Sequence, residues 1–296
     1  MKHVITWILA LALLLSGWAL AQARTVTDMT GRQVTLAGPV DRVVALTAAD
    51  CEILYALGAG DAVVGRGEYC DYPAEALEVP AVQSGAETNV EQIIALAPQV
   101  VFMGTMAQSA GQVAQLEAAG IQVVESEATD IAGVYRAIEI IGAVMDRDDA
   151  ARALIAEMQA EFDALAQKAA AHSEKFRVYF EVSPLEYGLW TAGTGTFMDE
   201  AATLLGAENL FSDVNGWAAI SEEQVIDRNP DAIVSISMYS GHGPTPEEEL
   251  LSRPGWQGVS AIANAKILNL RDESLSRPGP RLVEGVRRMY EFLYGA

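Results

Sequence analysis

The chain has 296 residues, of which 19 are lysine or arginine and 40 are aspartate or glutamate, for a net charge of −21 at pH 7. So acidic a surface repels phosphate backbones, which excludes nucleic acid as a partner. Hydrophobic residues make up 51% of the chain, enough at this length to bury one large domain or two lobes with cores of their own.

The chain opens with Lys2, an apolar run from Val4 to Leu20, and then Ala21, Gln22 and Ala23. A basic start, an apolar stretch and a small-x-small site are the pattern of a cleavable signal peptide, so residues 1–23 are expected to be removed. Losing Lys2 would take the net charge from −21 to −22. The apolar run is short for a membrane span, and no later segment is long and apolar enough for one. No Cys lies near the cleavage site to carry a lipid, so the expectation is a free, exported, periplasmic protein that does not span the membrane. Cys51 and Cys70 would remain and meet an oxidising compartment. Each follows a predicted strand, so they are candidates for a disulfide, with two buried thiols as the alternative and too few sulfurs for a metal site.

In chain order, Arg42 to Thr47 and Ala62 to Gly65 read as buried strands around a helix from Ala49 to Leu57 that stops at Gly58. Strand, helix, strand indicates a parallel sheet. A strand at Val100 to Met103, a helix at Ala110 to Ala119 and a strand at Gln122 to Glu125 complete a first βα lobe, residues 24–130. From Ile131 to about Ala171 there is no proline, and apolar residues such as Leu154, Met158, Phe162 and Leu165 recur at helical spacing. One long connecting helix is therefore expected over residues 131–172, reaching about 60 Å if straight. The pattern then restarts with strands at Arg177 to Val182, Ala232 to Ile236 and Lys266 to Leu270, and helices at Phe197 to Leu205 and Pro280 to Tyr294. The second lobe is residues 173–296. The expected fold is α/β, two Rossmann-like βα lobes joined by one long helix.

One motif occurs in both lobes. NVEQIIALAPQVVF, Asn89 to Phe102, returns as SEEQVIDRNPDAIV, Ser221 to Val234. In each copy a capping residue opens a short helix that ends before a proline and a buried strand. Glu91 and Glu223 take the same first-turn position, where the helix dipole favours a carboxylate.

With these residues in place the chain resembles the periplasmic substrate-binding proteins of ABC importers for cobalamin, haem and ferric siderophores, the class III binding-protein type with two lobes on one rigid helix. The resemblance covers nearly the whole mature chain. It rests on DMTGRQVTL (Asp28 to Leu36), RVVAL with EILYALGAG (Glu52 to Gly60), YCDYP (Tyr69 to Pro73), the paired EQ repeats and RPGPR (Arg277 to Arg281). It implies that Glu91 and Glu223, one per lobe, dock against an ABC permease served by its ATPase, as two equivalent carboxylates facing a two-fold symmetric partner. It also implies a corrinoid ligand, with Tyr69 and Trp217 against the corrin ring. At Gly85 this chain departs from the cobalamin proteins, which place a tryptophan there.

A corrin or porphyrin is a large apolar disc that needs flat aromatic walls. The candidates are Tyr69, Tyr72, Tyr187, Trp190, Trp217 and Tyr239, most of them following strands, while Trp256 is expected in the core. For haem, His242 in a glycine-rich loop could overhang the cleft, whereas His172 should face solvent at the end of the long helix. For an anionic siderophore the cations would be Arg66, Arg271, Arg277 and Arg281, the last two expected instead in structural ion pairs. TAGTGTF, Thr191 to Phe197, reads as a tight turn into a helix, with anion binding as the alternative. No G-x-S-x-G, P-loop, H-E-x-x-H or paired-histidine spacing is present, so no catalysis, no cofactor and no resident metal are expected. A carboxylate-based hydrolase and a non-transport interaction protein are the other classes. A monomer with modest closure of its lobes on ligand is expected.

Overall fold

The computed structural model describes residues 23–104, 110–236 and 243–295. The expected signal peptide up to Gln22, and the candidates Tyr239 and His242, lie outside the described residues. The first strands, β1 (Arg24–Thr27) and β2 (Gln33–Leu36), form an antiparallel hairpin with Arg24 opposite Leu36. Its turn is built on Asp28, whose Oδ1 accepts from Thr30 N at 3.0 Å and Arg32 N at 2.9 Å, with Gly31 at φ +86°. Met29 N donates to Glu125 O at 2.9 Å and seats the hairpin on the first lobe.

That lobe continues with β3 (Val43–Ala45), α1 (Ala48–Ala56), β4 (Val63–Gly67), β5 (Ala81–Val82), α2 (Val90–Ala95), β6 (Val100–Met103), α3 (Ala110–Ala118) and β7 (Gln122–Glu125). The five strands β3 to β7 make one sheet in the order β5-β4-β3-β6-β7, every pair parallel. Val43, Val44, Val100 and Val101 are fully buried, as runs covered on both faces must be. The strands anticipated from the hydrophobic runs are present; β5 is only two residues long and carried no pattern to read.

The expected single helix is two helices. α4 (Ile131–Met145) ends at Asp146, which is left-handed at φ 58°, and α5 (Asp148–Ala170) begins after Arg147. The chain folds back because Gly142 lets the two helices touch: a Cβ there would sit 2.6 Å from the Ala151 Cβ. Neither glycine nor proline marks the break. Asp146 takes the left-handed position, which Asp tolerates better than most residues, and Asp148 and Asp149 favour a helix start. The connector is α5 alone, about 35 Å long by its 23 residues. It starts beside Pro39 and Gly58 of the first lobe and ends where His172 meets Tyr290 and Tyr294 near the C-terminus.

The second lobe comprises β8 (Arg177–Glu181), β9 (Trp190–Ala192), α6 (Phe197–Leu204), β10 (Glu208–Asn209), β11 (Trp217–Ala219), α7 (Glu222–Arg228), β12 (Ala232–Ser235), α8 (Pro246–Ser252), α9 (Ser260–Ala263), β13 (Ile267–Asn269) and α10 (Leu282–Tyr294). Its sheet is parallel throughout in the order β10-β8-β12-β13, and β9 and β11 form a separate antiparallel ribbon. One apolar core runs from Val43 and Val100 through Ile138, Met158 and Phe162 to Val178 and Phe180, so the lobes share packing.

A buried ion cluster fastens the lobes to each other. Glu52 on α1 is 3% exposed and receives Arg281 Nη2 at 2.6 Å, Arg281 Nε at 3.1 Å and Arg277 Nη1 at 3.4 Å, all from the second lobe. Arg277 also reaches Asp71 at 2.6 Å and pairs with Glu273. Burial works against the charge on Arg277, but its carboxylate partners outweigh that and push its pKa further up. The opposite balance holds Asp71 low: burial raises its pKa, and the Arg277 hydrogen bond brings it below the usual range.

Replacing Glu52 with Ala leaves the buried Arg277 and the half-buried Arg281 short of a partner and should cost about 3–5 kcal/mol, read as a lower urea midpoint. Exchanging Glu52, Arg277 and Arg281 together for apolar residues of similar size should recover most of that loss; an unchanged midpoint in the single variant would show that the cluster fastens nothing. The fully buried Asp50 titrates the other way from the exposed Asp71. Asp50, bonded by Thr47 Oγ1 at 2.6 Å and Ser126 Oγ at 2.5 Å, is pushed up to about 6 by burial, and those hydrogen bonds only partly oppose the rise. The native state therefore holds this proton more tightly than the unfolded chain. The stabilisation is full below pH ~4 and lost as pH rises through 6, on the order of 3 kcal/mol. Urea midpoints between pH 4 and 7 should fall less steeply in Asp50→Asn than in the parent.

Candidate functional site

Both repeats fold into the same local structure. Asn89 caps α2 by accepting from Gln92 N at 3.0 Å, and Ser221 caps α7 by accepting from Gln224 N at 3.3 Å. Gln224 returns the bond to Ser221 N at 2.9 Å in a capping box, whereas Gln92 instead accepts from Gln83 N at 3.1 Å. A left-handed residue stands directly before the proline in each copy, Ala97 at φ 48° just past the α2 C-cap Leu96 and Asn229 at φ 47° as the α7 C-cap. The strands that follow, β6 and β12, are both fully buried. Glu91 and Glu223 thus fall at the second position of equivalent helices, and both are exposed. Hydrogen bonding to its own backbone N–H and to the Ser221 hydroxyl holds Glu223 below the usual carboxylate range. Its neighbour Glu222 has a structural task, accepting from the buried Trp256 Nε1 at 2.8 Å.

The loops that leave the C-terminal ends of the parallel strands carry the aromatic candidates, the place where open α/β sheets bind ligands. β4 ends at Gly67, where a Cβ would lie 2.4 Å from Leu46 O; only glycine allows that approach. The segment Tyr69 to Pro73 follows. Tyr69 is 63% exposed, and Tyr72 lies under Arg281, whose guanidinium carbon is 4.1 Å from the ring centroid. Asp71 between them holds Arg277, so the ion cluster fixes the loop that presents the tyrosines.

In the second lobe the ribbon pairs Trp217 with Ala192 and Trp190 with Ala219. Directly opposed residues share a face, so Trp190 and Trp217 stand on the same side of the ribbon. Trp217 is half-buried, edge-on to Phe197 with centroids 5.6 Å apart, and Trp190 is exposed. Phe197 was not singled out as a site residue, although it ends the TAGTGTF stretch. Within that stretch Thr196 caps α6 through Asp199 N and donates to Gly193 O at 2.8 Å, which makes it a turn and helix start; Asp199 and Glu200 in the first turn oppose an anion. Tyr187 is 76% exposed in a short turn before β9.

Other candidates are drawn elsewhere. His172 is exposed, stacks on Tyr294 with centroids 4.5 Å apart, and lies 3.3 Å from the Tyr290 hydroxyl. Arg66 donates to Val79 O at 3.1 Å and Gly67 O at 3.2 Å, and Arg271 to Glu247 at 2.9 Å. Trp256 is in the core as expected. At Gly85 the departure reaches the backbone: φ is +85°, a conformation a tryptophan would enter only under strain, and the space around its Cβ position is open. Cys51 and Cys70 are buried thiols. A cavity of about 630 Å³ lies between α1, α5 and α10, lined by Glu52, Tyr55, Tyr72, Met158 and Arg281. It takes in Tyr72 and Pro73 of the first strand-end loop but neither Tyr69 nor the tryptophans, so it is a recess between that loop and the connector. No group of acids, histidines and cysteines suited to a metal ion occurs among the described residues.

Comparison with known proteins agrees with this arrangement. Residues 43–274 match the sequence profile of the family described as periplasmic binding protein. An uncharacterised ABC transporter substrate-binding lipoprotein of Bacillus subtilis is 32% identical over 275 residues, 91% of this chain and 85% of the relative. A cobalamin-binding protein of Halobacterium salinarum is 29% identical over 272 residues, covering 90% and 72% of the two chains. Among solved structures, a possible iron-binding, periplasmic solute-binding protein of Staphylococcus epidermidis superposes with a TM-score of 0.74 at 30% identity, over 86% of this chain and 99% of that one. None of these relatives is described as an enzyme. The paired lobes, the strand-end loops and the matched profile agree: the chain belongs to the periplasmic binding protein family and is a substrate-binding protein of the ABC importer class.

Proposed function

We propose that this protein captures a corrinoid between the Tyr69 to Tyr72 loop of one lobe and the Trp190 and Trp217 ribbon of the other, then delivers it to an ABC permease. The observation that carries the ligand reading is the exposed aromatic surface on the strand-end loops of both lobes, flat and apolar as a corrin ring requires. The cobalamin-binding relative supports it. An iron-chelate ligand is the second reading, favoured by the Staphylococcus epidermidis structure. Against an anionic siderophore stands the commitment of Arg66, Arg271, Arg277 and Arg281 to carbonyls and carboxylates of the protein itself. Against haem held by His172 stands that residue's position at the far end of the connector.

Docking rests on Glu91 and Glu223, equivalent in fold and exposed in both lobes. Exposed carboxylates of this kind set orientation and encounter rate more than affinity. A periplasmic monomer is part of the same reading; the Bacillus subtilis relative is described as a lipoprotein, and no described helix is long and apolar enough to cross a membrane.

Calorimetric titration of residues 24–296 with cyanocobalamin should give saturable one-to-one binding, weakened roughly tenfold by Tyr69→Ala and again by Trp217→Ala, about 1.4 kcal/mol each. Folded protein that takes up no cobalamin would sink the corrinoid assignment and bring haem and ferric siderophores forward. Reversing charge at both Glu91 and Glu223 should abolish uptake in cells while leaving cobalamin affinity within a factor of two; normal uptake by that variant would remove the docking role.

A further inference from the structure

Two buried cysteines come together at one carbonyl beneath the Tyr69 to Pro73 loop. Cys51 in α1 and Cys70 after β4 are both fully buried. They converge on one carbonyl: Thr47 O accepts from Cys51 N at 3.2 Å and from Cys70 Sγ at 3.2 Å. Cys70 Sγ also donates to Ala45 O at 3.5 Å, and the nearby Cys51 side chain pushes the Cys70 thiol up. A thiol is a weak donor, so its bonds to these carbonyls add little to the core. The chain neighbours are functional. Cys51 precedes Glu52 of the ion cluster, and Cys70 stands between the exposed Tyr69 and the Arg277 partner Asp71.

We propose that Cys51 and Cys70 close an intramolecular disulfide in the exported chain, a redox modification site that ties the Tyr69 to Pro73 loop to α1. The oxidant is a disulfide of the surroundings, R–S–S–R. One cysteine thiolate attacks it, forms a protein–S–S–R bond and releases R–S⁻. The second thiolate attacks the protein sulfur of that mixed disulfide, forms the Cys51 to Cys70 bond and releases the second R–S⁻. The two thiols lose two protons and two electrons, and R–S–S–R is reduced to two R–SH. Contact with Cys51, together with burial, pushes the Cys70 thiol far up, so exchange is slow once the core has closed and proceeds in the newly exported or locally open chain. The proposal depends on the periplasmic reading only for the supply of oxidant.

The test supplies its own oxidant. Residues 24–296 are refolded in glutathione buffers of graded redox ratio, with a parallel series kept in urea, then acid-quenched, alkylated and weighed. At the ratio that leaves the urea series half oxidised, the folded chain should be more than 90% intramolecular disulfide, and it should melt roughly 5 °C or more above its reduced form. A Cys51→Ser variant should yield no such higher-melting species. The proposal is overturned if the folded chain is no more oxidised than the unfolded one, or if oxidation stops at a glutathione adduct on a single cysteine. Failure to bind cobalamin in either redox form would remove the ligand assignment and leave the bond standing.

Discussion

The contact on which the arrangement of the lobes depends is the burial of Glu52 against Arg277 and Arg281. Each lobe has its own parallel sheet, yet this carboxylate on α1 takes its partners from a turn more than 220 residues away. Charges taken out of water are tolerated only in good geometry, so sliding one lobe past the other would uncover or unpair them. The cluster also reaches the proposed binding surface, since Arg277 holds Asp71 and Arg281 lies over Tyr72. The junction of the lobes and the placing of the Tyr69 to Pro73 loop therefore depend on the same few charges. The shared core along α5 adds apolar packing to the same constraint, which fits small adjustments of the lobes better than a wide hinge.

The repeated motif shows how similar local chemistry yields similar backbone in two different lobes. A side-chain cap, a first-turn glutamate, a left-handed residue and a proline recur in the same order. The copies are not equally comfortable. Asn229 adopts its left-handed conformation readily and its side chain also accepts from Ser260 N at 2.7 Å, whereas Ala97 has no such compensation.

Much of the architecture was legible because its signals are local. Buried parallel strands read as unbroken apolar runs, as at Val100 to Met103 and Ala232 to Ser235, and the helix ends at Gly58, Gly120 and Gly206 are marked by residues suited to a left-handed turn. The connector was misread for a related reason. Its break at Asp146 has no glycine or proline, and the apolar periodicity runs across it, while the fold-back depends on Gly142 meeting Ala151 on the following helix. The β9 and β11 ribbon escaped notice because three-residue strands carry no period, so Trp190 and Trp217 appeared as separate loop aromatics until their pairing set them on one face.

By itself the sequence determined the α/β class, the duplicated helix starts with Glu91 and Glu223, and the aromatic stock of the strand-end loops. These follow from capping, periodicity and composition within short windows. Only the tertiary structure decided which arginines are spent on the lobe junction, that Gly85 opens space at a left-handed turn, and that Cys51 and Cys70 share the Thr47 carbonyl. Each of these is a relation between residues whose separation in the chain says nothing of their distance in space, and burial, which sets the cost of an unpaired charge or the meeting of two thiols, exists only once the core has formed.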